Sequence, residues 1–152
     1  MSEMLTFMMG EFEAEFPDDR QYAKNHMWAK LLSGNRIQFG FTAYAVRLLQ
    51  DVYFLDWLIE APAKLESGQE MGSIESKKAE SSLYAPLSGQ LTLFNEELMD
   101  DPSTINVDKY ERGWLFEMEA ATDDLIQPTS YITLLDEVWD KTQRTIKGQL
   151  NE

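Results

Sequence analysis

A single, mainly β domain finished by one amphipathic helix is the fold class that the sequence predicts. Three observations carry it. Short apolar runs recur along most of the chain, and Gly, Pro, Asn or Ser separates them, which is strand-and-turn patterning. The one long stretch with helical period is Ser130 to Lys141, whose apolar residues Tyr131, Leu134, Leu135, Val138 and Trp139 follow the i, i+3, i+4 stripe. The length of 152 residues suits one domain with a sizeable core.

In order, residues 1–15 are Met-rich and then acidic, through Gly10-Glu11-Phe12-Glu13-Ala14-Glu15, and are expected to be a mobile extension or a loosely attached strand. The domain proper is expected over 16–141. Trp28 to Leu32 and Arg36 to Phe41 flank Ser33-Gly34-Asn35, a hairpin signature. Thr42 can cap a short helix through Leu49, with Ala43, Val46 and Leu49 on one face. Asp51 to Leu58 has β character, and Gly68 suits a positive-φ turn. Met71 to Ile74 and Leu83 to Ala85 are strand-like, and the polar run between them predicts an exposed hairpin tip. Gln90 to Phe94 continues as a strand with Leu91 and Leu93 on one face. Thr122 to Ile126 reads as a short capped turn, broken by Gln127-Pro128-Thr129, before the final helix, which is expected to pack on the sheet. Residues 142–152 form a polar tail expected to fray.

Composition excludes several functions. The net charge of −14 repels nucleic acid and anionic membranes, because phosphate binding needs clustered Lys and Arg. It suits partners with basic docking surfaces. With no cysteine, disulfides, thiolate zinc sites and thiol nucleophiles drop out, so any sulfur redox chemistry must come from an attached group. The single histidine, His26, cannot form a multi-His metal site. Its simplest role is a partly buried ring beside Trp28, because a general base needs an orienting partner and none is visible nearby in sequence. Asp100-Asp101 lacks calcium-loop spacing, so no metal is expected. No run approaches a membrane span, and the start has no basic n-region, which makes a cytoplasmic location the default expectation. No phosphate loop or Ser/His/Asp set is recognisable, so no catalytic residue is assigned.

The stretch Ile74-Glu75-Ser76-Lys77-Lys78-Ala79, followed by Tyr84-Ala85-Pro86-Leu87-Ser88-Gly89, resembles the lipoylation site of the glycine cleavage system H protein family, Glu-Ser-x-Lys-Ala then Tyr/Asn-x-Pro-x-Ser-Gly. Other signatures follow the same family. Tyr22, His26 and Trp28 match its Pro-x-x-x-x-Tyr-x-x-x-His-Glu-Trp pattern, with Met27 at the glutamate. Gly40 to Ala45 matches Gly-Ile-Thr-Asp-Tyr-Ala, and Asp51 to Leu55 matches Gly-Asp-Val-x-Phe-Val with Gln50 at the usual glycine. Asn95 to Asn106 and Tyr110 to Phe116 match Asn-x-x-Leu-x-x-x-Pro-x-x-Ile/Val-Asn and Tyr-x-x-Gly-Trp-Leu/Met-x. The resemblance covers about Phe16 to Trp139.

What the resemblance implies is a lipoyl-domain-like flattened β-barrel or sandwich of two antiparallel sheets with short edge helices, and a carrier rather than an enzyme. Lys78 would hold lipoic acid as lipoyllysine, with Glu75, Ser76 and Ala79 forming the recognition turn. The arm would pass the aminomethyl group of glycine between the P and T proteins and electrons to the L protein. A lipoate ligase or lipoyl transferase would attach it. Tethering raises the arm's effective concentration at each partner. Lys77 takes the family's variable, usually apolar position. Met27 and Ser82 stand where the family has acidic residues near the loaded arm, and a thioether cannot stabilise an ammonium as a carboxylate does. Two alternatives stay open: an H-like lipoyl carrier for another pathway, such as sulfur oxidation or a lipoyl relay, and a non-lipoylated H-like interaction module. A monomer is expected, without nucleic-acid or membrane partners.

Overall fold

The computed structural model describes residues 3–151, with side chains through residue 141. In chain order the elements are β1 (Met4–Met9), β2 (Phe12–Pro17), β3 (Gln21–Tyr22), β4 (Met27–Leu31), β5 (Arg36–Phe41), α1 (Ala43–Leu49), β6 (Val52–Trp57) and β7 (Ala63–Leu65). There follow β8 (Glu70–Ser76), β9 (Glu80–Tyr84), β10 (Gly89–Phe94), α2 (Glu97–Asp100), α3 (Thr104–Val107), β11 (Phe116–Glu119) and α4 (Pro128–Asn151). A six-stranded sheet has the order β3-β4-β5-β11-β10-β7, and a three-stranded sheet the order β6-β8-β9. Every ladder is antiparallel.

These two sheets bury their inner faces in one core. Ile37, Phe39, Leu91, Phe116 and Met118 come from the large sheet, and Leu55, Met71, Ile74 and Leu83 from the small one. Trp57 stitches the layers by stacking on Phe94, with ring centroids 4.3 Å apart, and meeting Phe116 edge-on. The arrangement is a sandwich, not a closed barrel, because β6-β8-β9 does not join the six-stranded sheet.

The stretch expected as a mobile extension or a loosely attached strand forms a β1–β2 hairpin turning at Gly10, which has φ 64°. Its alternation is strict. Phe7, Met9, Ala14 and Phe16 are buried, while Met4, Thr6, Met8, Glu13 and Glu15 face solvent. The buried face forms a second core with Tyr22, Trp28, Tyr44, Tyr131 and Leu135. α4 therefore packs largely on this hairpin rather than on the main sheet, with Phe7 meeting Trp139 edge-on at 6.3 Å. Pro128 opens the helix instead of only breaking what precedes it, since its missing N–H is an orphan there anyway. The helical backbone runs on to Asn151, and side chains of the expected polar tail lie outside the described residues.

One face assignment changes as well. A bulge between Leu91 and Leu93 shifts the β10–β11 register, so Leu91 is buried while Leu93 is 40% exposed. One inserted residue inverts a period-two pattern, so the two leucines do not share a face.

Candidate modification site

The hairpin tip is tighter than the apolar pattern suggested. β8 and β9 stay paired out to Glu75 opposite Glu80, so only Lys77 and Lys78 lie between Ser76 and Ala79. The Ser76 N–H donates to the Ala79 carbonyl at 2.8 Å, closing the turn. The Ser76 hydroxyl donates to the same carbonyl at 3.0 Å and accepts from the Ala79 N–H at 3.1 Å. Ser76 is buried, whereas Lys77, Lys78 and Ala79 are exposed. Neither lysine amine has an ion-pair partner among the described residues. A free amine on a four-carbon stem stands on a hydrogen-bonded base.

A clamp behind the turn was not legible in the motif. The Lys77 N–H donates to the Asp51 carbonyl at 2.8 Å. Asn106 grips the residues on either side of Asp51: its Oδ1 accepts from the Val52 N–H at 2.9 Å, and its Nδ2 donates to the Gln50 carbonyl at 2.6 Å. Asn106 ends a motif recognised only as a match, and its role depends on a contact across the fold.

Gln50 caps α1 at φ 61° and ψ −141°, a region that is costly for a side chain and free for glycine. Gln50→Gly should raise stability by about 1 kcal/mol, the strain relieved exceeding the extra chain entropy lost. Urea unfolding should show a higher midpoint at unchanged slope. A midpoint equal to or below wild type would show that Gln50 carries no net strain.

Asn25 reaches the other end of the hairpin, where its Nδ2 donates to the Tyr84 carbonyl at 3.1 Å. His26 does not pack beside Trp28 as expected. It has φ 71° and lies outside β4, so the period-two relation to Trp28 is lost. Its ring stacks on Tyr44 at 4.6 Å, and Nδ1 shares a 2.8 Å hydrogen bond with the Tyr131 hydroxyl. Trp28 instead packs under Arg20, whose guanidinium lies 4.9 Å from the indole centroid, and donates Nε1–H to the Lys109 carbonyl.

Burial lowers the His26 pKa to about 4 by desolvating the charged ring. The folded state thus prefers neutral His26, while the unfolded chain protonates it below its ordinary value of 6.5. His26 stability is fully present above pH 6.5 and is lost as pH falls toward 4. After discounting for partial exposure, the loss is about 2 kcal/mol. His26→Asn tolerates the positive φ and should flatten the stability profile between pH 6.5 and 4 relative to wild type. Parallel wild-type and variant profiles would refute this.

The two positions aligned with acidic family residues are uncharged in different ways. Met27 is 2% exposed and belongs to the main core. Ser82 donates its hydroxyl to Glu70 Oε2 at 3.2 Å, so a carboxylate from β8 lies beside that position. The described residues contain no group of three or more His, Cys, Asp or Glu placed to hold a metal. Among them no helix is long and apolar enough to cross a membrane.

The family model described as "Glycine cleavage H-protein" matches residues 20–137. The chain belongs to the glycine cleavage H-protein family. It is 38% identical over 125 residues to the "Glycine cleavage system H protein" of Rubrobacter xylanophilus, covering 82% of this chain and 98% of that protein. It is 37% identical over 121 residues to the "Probable glycine cleavage system H protein" of Haloarcula marismortui, covering 77% and 94%. A crystal structure of a glycine cleavage system H protein from Mycobacterium marinum superposes with a TM-score of 0.70 at 33% identity, covering 78% of this chain and 98% of that one. The family match begins at Arg20, so the β1–β2 hairpin precedes it.

Proposed function

We propose that this protein is a lipoyl carrier of the glycine cleavage system, with Lys78 as the attachment residue. The observation that carries this reading is the turn itself. Lys78 is exposed and unpaired among the described residues, on a base fixed by Ser76 and by the Asp51 carbonyl. That suits an amine that an enzyme must reach and an arm that several partners must share. In attachment, Lys78 Nζ would attack the carbonyl carbon of an activated lipoyl ester. The C–N bond forms, the C–O bond to the leaving group breaks with its electron pair, and the amine's proton passes to solvent. The bound dithiolane would supply the disulfide–dithiol chemistry that a cysteine-free chain lacks. Ser76 and Ala79 would hold the turn, and Glu75 would contribute to recognition. The chain would act in the cytoplasm as a non-catalytic component, exchanging with the P, T and L proteins.

A carrier for another pathway is the second reading, favoured by one observation: buried Met27 and uncharged Ser82 offer no carboxylate of their own to an ammonium. Intact mass after incubation with lipoate, ATP and a lipoate ligase, with the labelled peptide located, tests attachment. Exchange of labelled bicarbonate into glycine with the glycine decarboxylase of the same organism then separates the two carriers. Label on Lys78 with exchange supports the glycine cleavage reading. Label without exchange moves the function to another pathway. No label, where a control H protein is labelled, leaves a non-lipoylated interaction module.

A further inference from the structure

Three costly local features meet at one end of the small sheet, beside Lys78. First, a bulge between Val52 and Phe54 breaks the alternation of β6, so two consecutive aromatics face solvent, Tyr53 at 63% and Phe54 at 46% exposure. Neither has a ring partner among the described residues. Second, Phe54 lies directly opposite Glu75 on β8. Third, Glu75 lies directly opposite Glu80 on β9, and like charges facing each other across a ladder are destabilising. The row Phe54–Glu75–Glu80 therefore crosses all three strands at the last rung before the Lys77-Lys78 turn. The next row on the same face, Asp56–Ser73–Ser82, adds a carboxylate. Neither main-core packing nor pairing accounts for this row, and local rules broken together mark function more often than chance.

We infer that Phe54 and Glu80, flanked by Tyr53, extend the recognition turn at Glu75 into a surface read by the enzyme that acylates Lys78. This deepens the carrier reading and rests on it. An enzyme whose active site must reach Lys78 Nζ has to cover the rung next to the turn, and this rung offers an apolar anchor beside a pair of acids. The matching enzyme surface is an apolar recess bordered by Lys or Arg. The aromatic supplies desolvated contact, and the paired carboxylates supply steering and orientation.

Single substitutions, Phe54→Ser and Glu80→Gln, test this against wild type in acyl transfer by a lipoate ligase with lipoate and ATP. Each variant should lower kcat/KM about tenfold, mainly through KM, as removal of an interface anchor or a steering charge does. Glu80→Gln should do so while its melting temperature stays level or rises, because the like-charge pair is gone. Raising salt should shrink the gap between Glu80→Gln and wild type. Asp123→Asn, an exposed carboxylate outside both sheets, should transfer at the wild-type rate, which separates the row from net charge. Wild-type kinetics in both row variants would overturn the inference while leaving the carrier reading intact, as would an equal loss in Asp123→Asn. Failure of the wild type itself to be acylated, beside a labelled control H protein, would remove the carrier reading and the row's role with it.

Discussion

Lys78→Arg should abolish lipoyl attachment altogether, while Lys77→Arg should leave it at the wild-type level. The two amines are adjacent, exposed and free of ion pairs among the described residues, so bulk accessibility does not choose between them. Position does. Lys77 is tied through its N–H to the Asp51 carbonyl, whereas Lys78 is the freer of the two turn residues and precedes Ala79, whose N–H and carbonyl both bond the Ser76 hydroxyl. Arginine keeps the charge and length but not the chemistry. Its guanidinium stays protonated and delocalised, and so cannot attack an acyl carbon. Both variants should fold as wild type, since both side chains are exposed. Intact mass after ligase treatment reads the result, with the modified peptide located by fragmentation. Label persisting in Lys78→Arg would move the site, and its loss in Lys77→Arg would mean that the Lys77 amine itself, not its charge, is needed.

Gly72→Ala should cost about 3 kcal/mol or more, the upper range for a single substitution. Gly72 sits in the middle strand of the small sheet, opposite Trp57 on one side and Leu83 on the other. A Cβ there would overlap the Asp56 carbonyl oxygen and press on the Trp57 ring. The carbonyl is backbone within a ladder and cannot swing aside. Trp57 is held by its stack on Phe94 and its edge contact with Phe116, so moving it loosens the joint between the two sheets. Melting should drop by about 10 °C in a chain of this size. Acylation of the folded fraction should slow too, because the strand that gives way leads into the turn. A melting temperature within about 2 °C of wild type would mean that the ladder absorbs the methyl group, contrary to this packing account.

Several elements were legible because their cause is local. Gly34 at φ 65° and its polar neighbours make the β4–β5 turn, the Thr42 hydroxyl accepts from the Ala45 N–H to cap α1, and the stripe from Tyr131 to Trp139 makes α4. The lysine turn was legible as a motif, and the structure closes it as a tight hairpin turn over Lys77 and Lys78. The β1–β2 hairpin was legible in principle. Its residues alternate on both sides of Gly10, and that period-two signal was outweighed by the methionines and acids that colour the stretch. Its partner, the aromatic face of α4, lies more than a hundred residues away.

What the sequence by itself determined is thus the β-rich class, the main turns and the helix, all of which depend on neighbours within a few residues. Only the tertiary structure decided the rest. The bulges that expose Tyr53, Phe54 and Leu93 reflect strand register, which is set by the partner strand and not by the strand's own pattern. The Asn106 clamp behind the turn, the seat of His26 on Tyr44 and Tyr131, and the Phe54–Glu75–Glu80 row each join residues far apart along the chain. Periodicity and propensity report how a segment curls and which side is apolar. They carry no information about which distant group will stand opposite, because that is settled when the sheets close on a shared core.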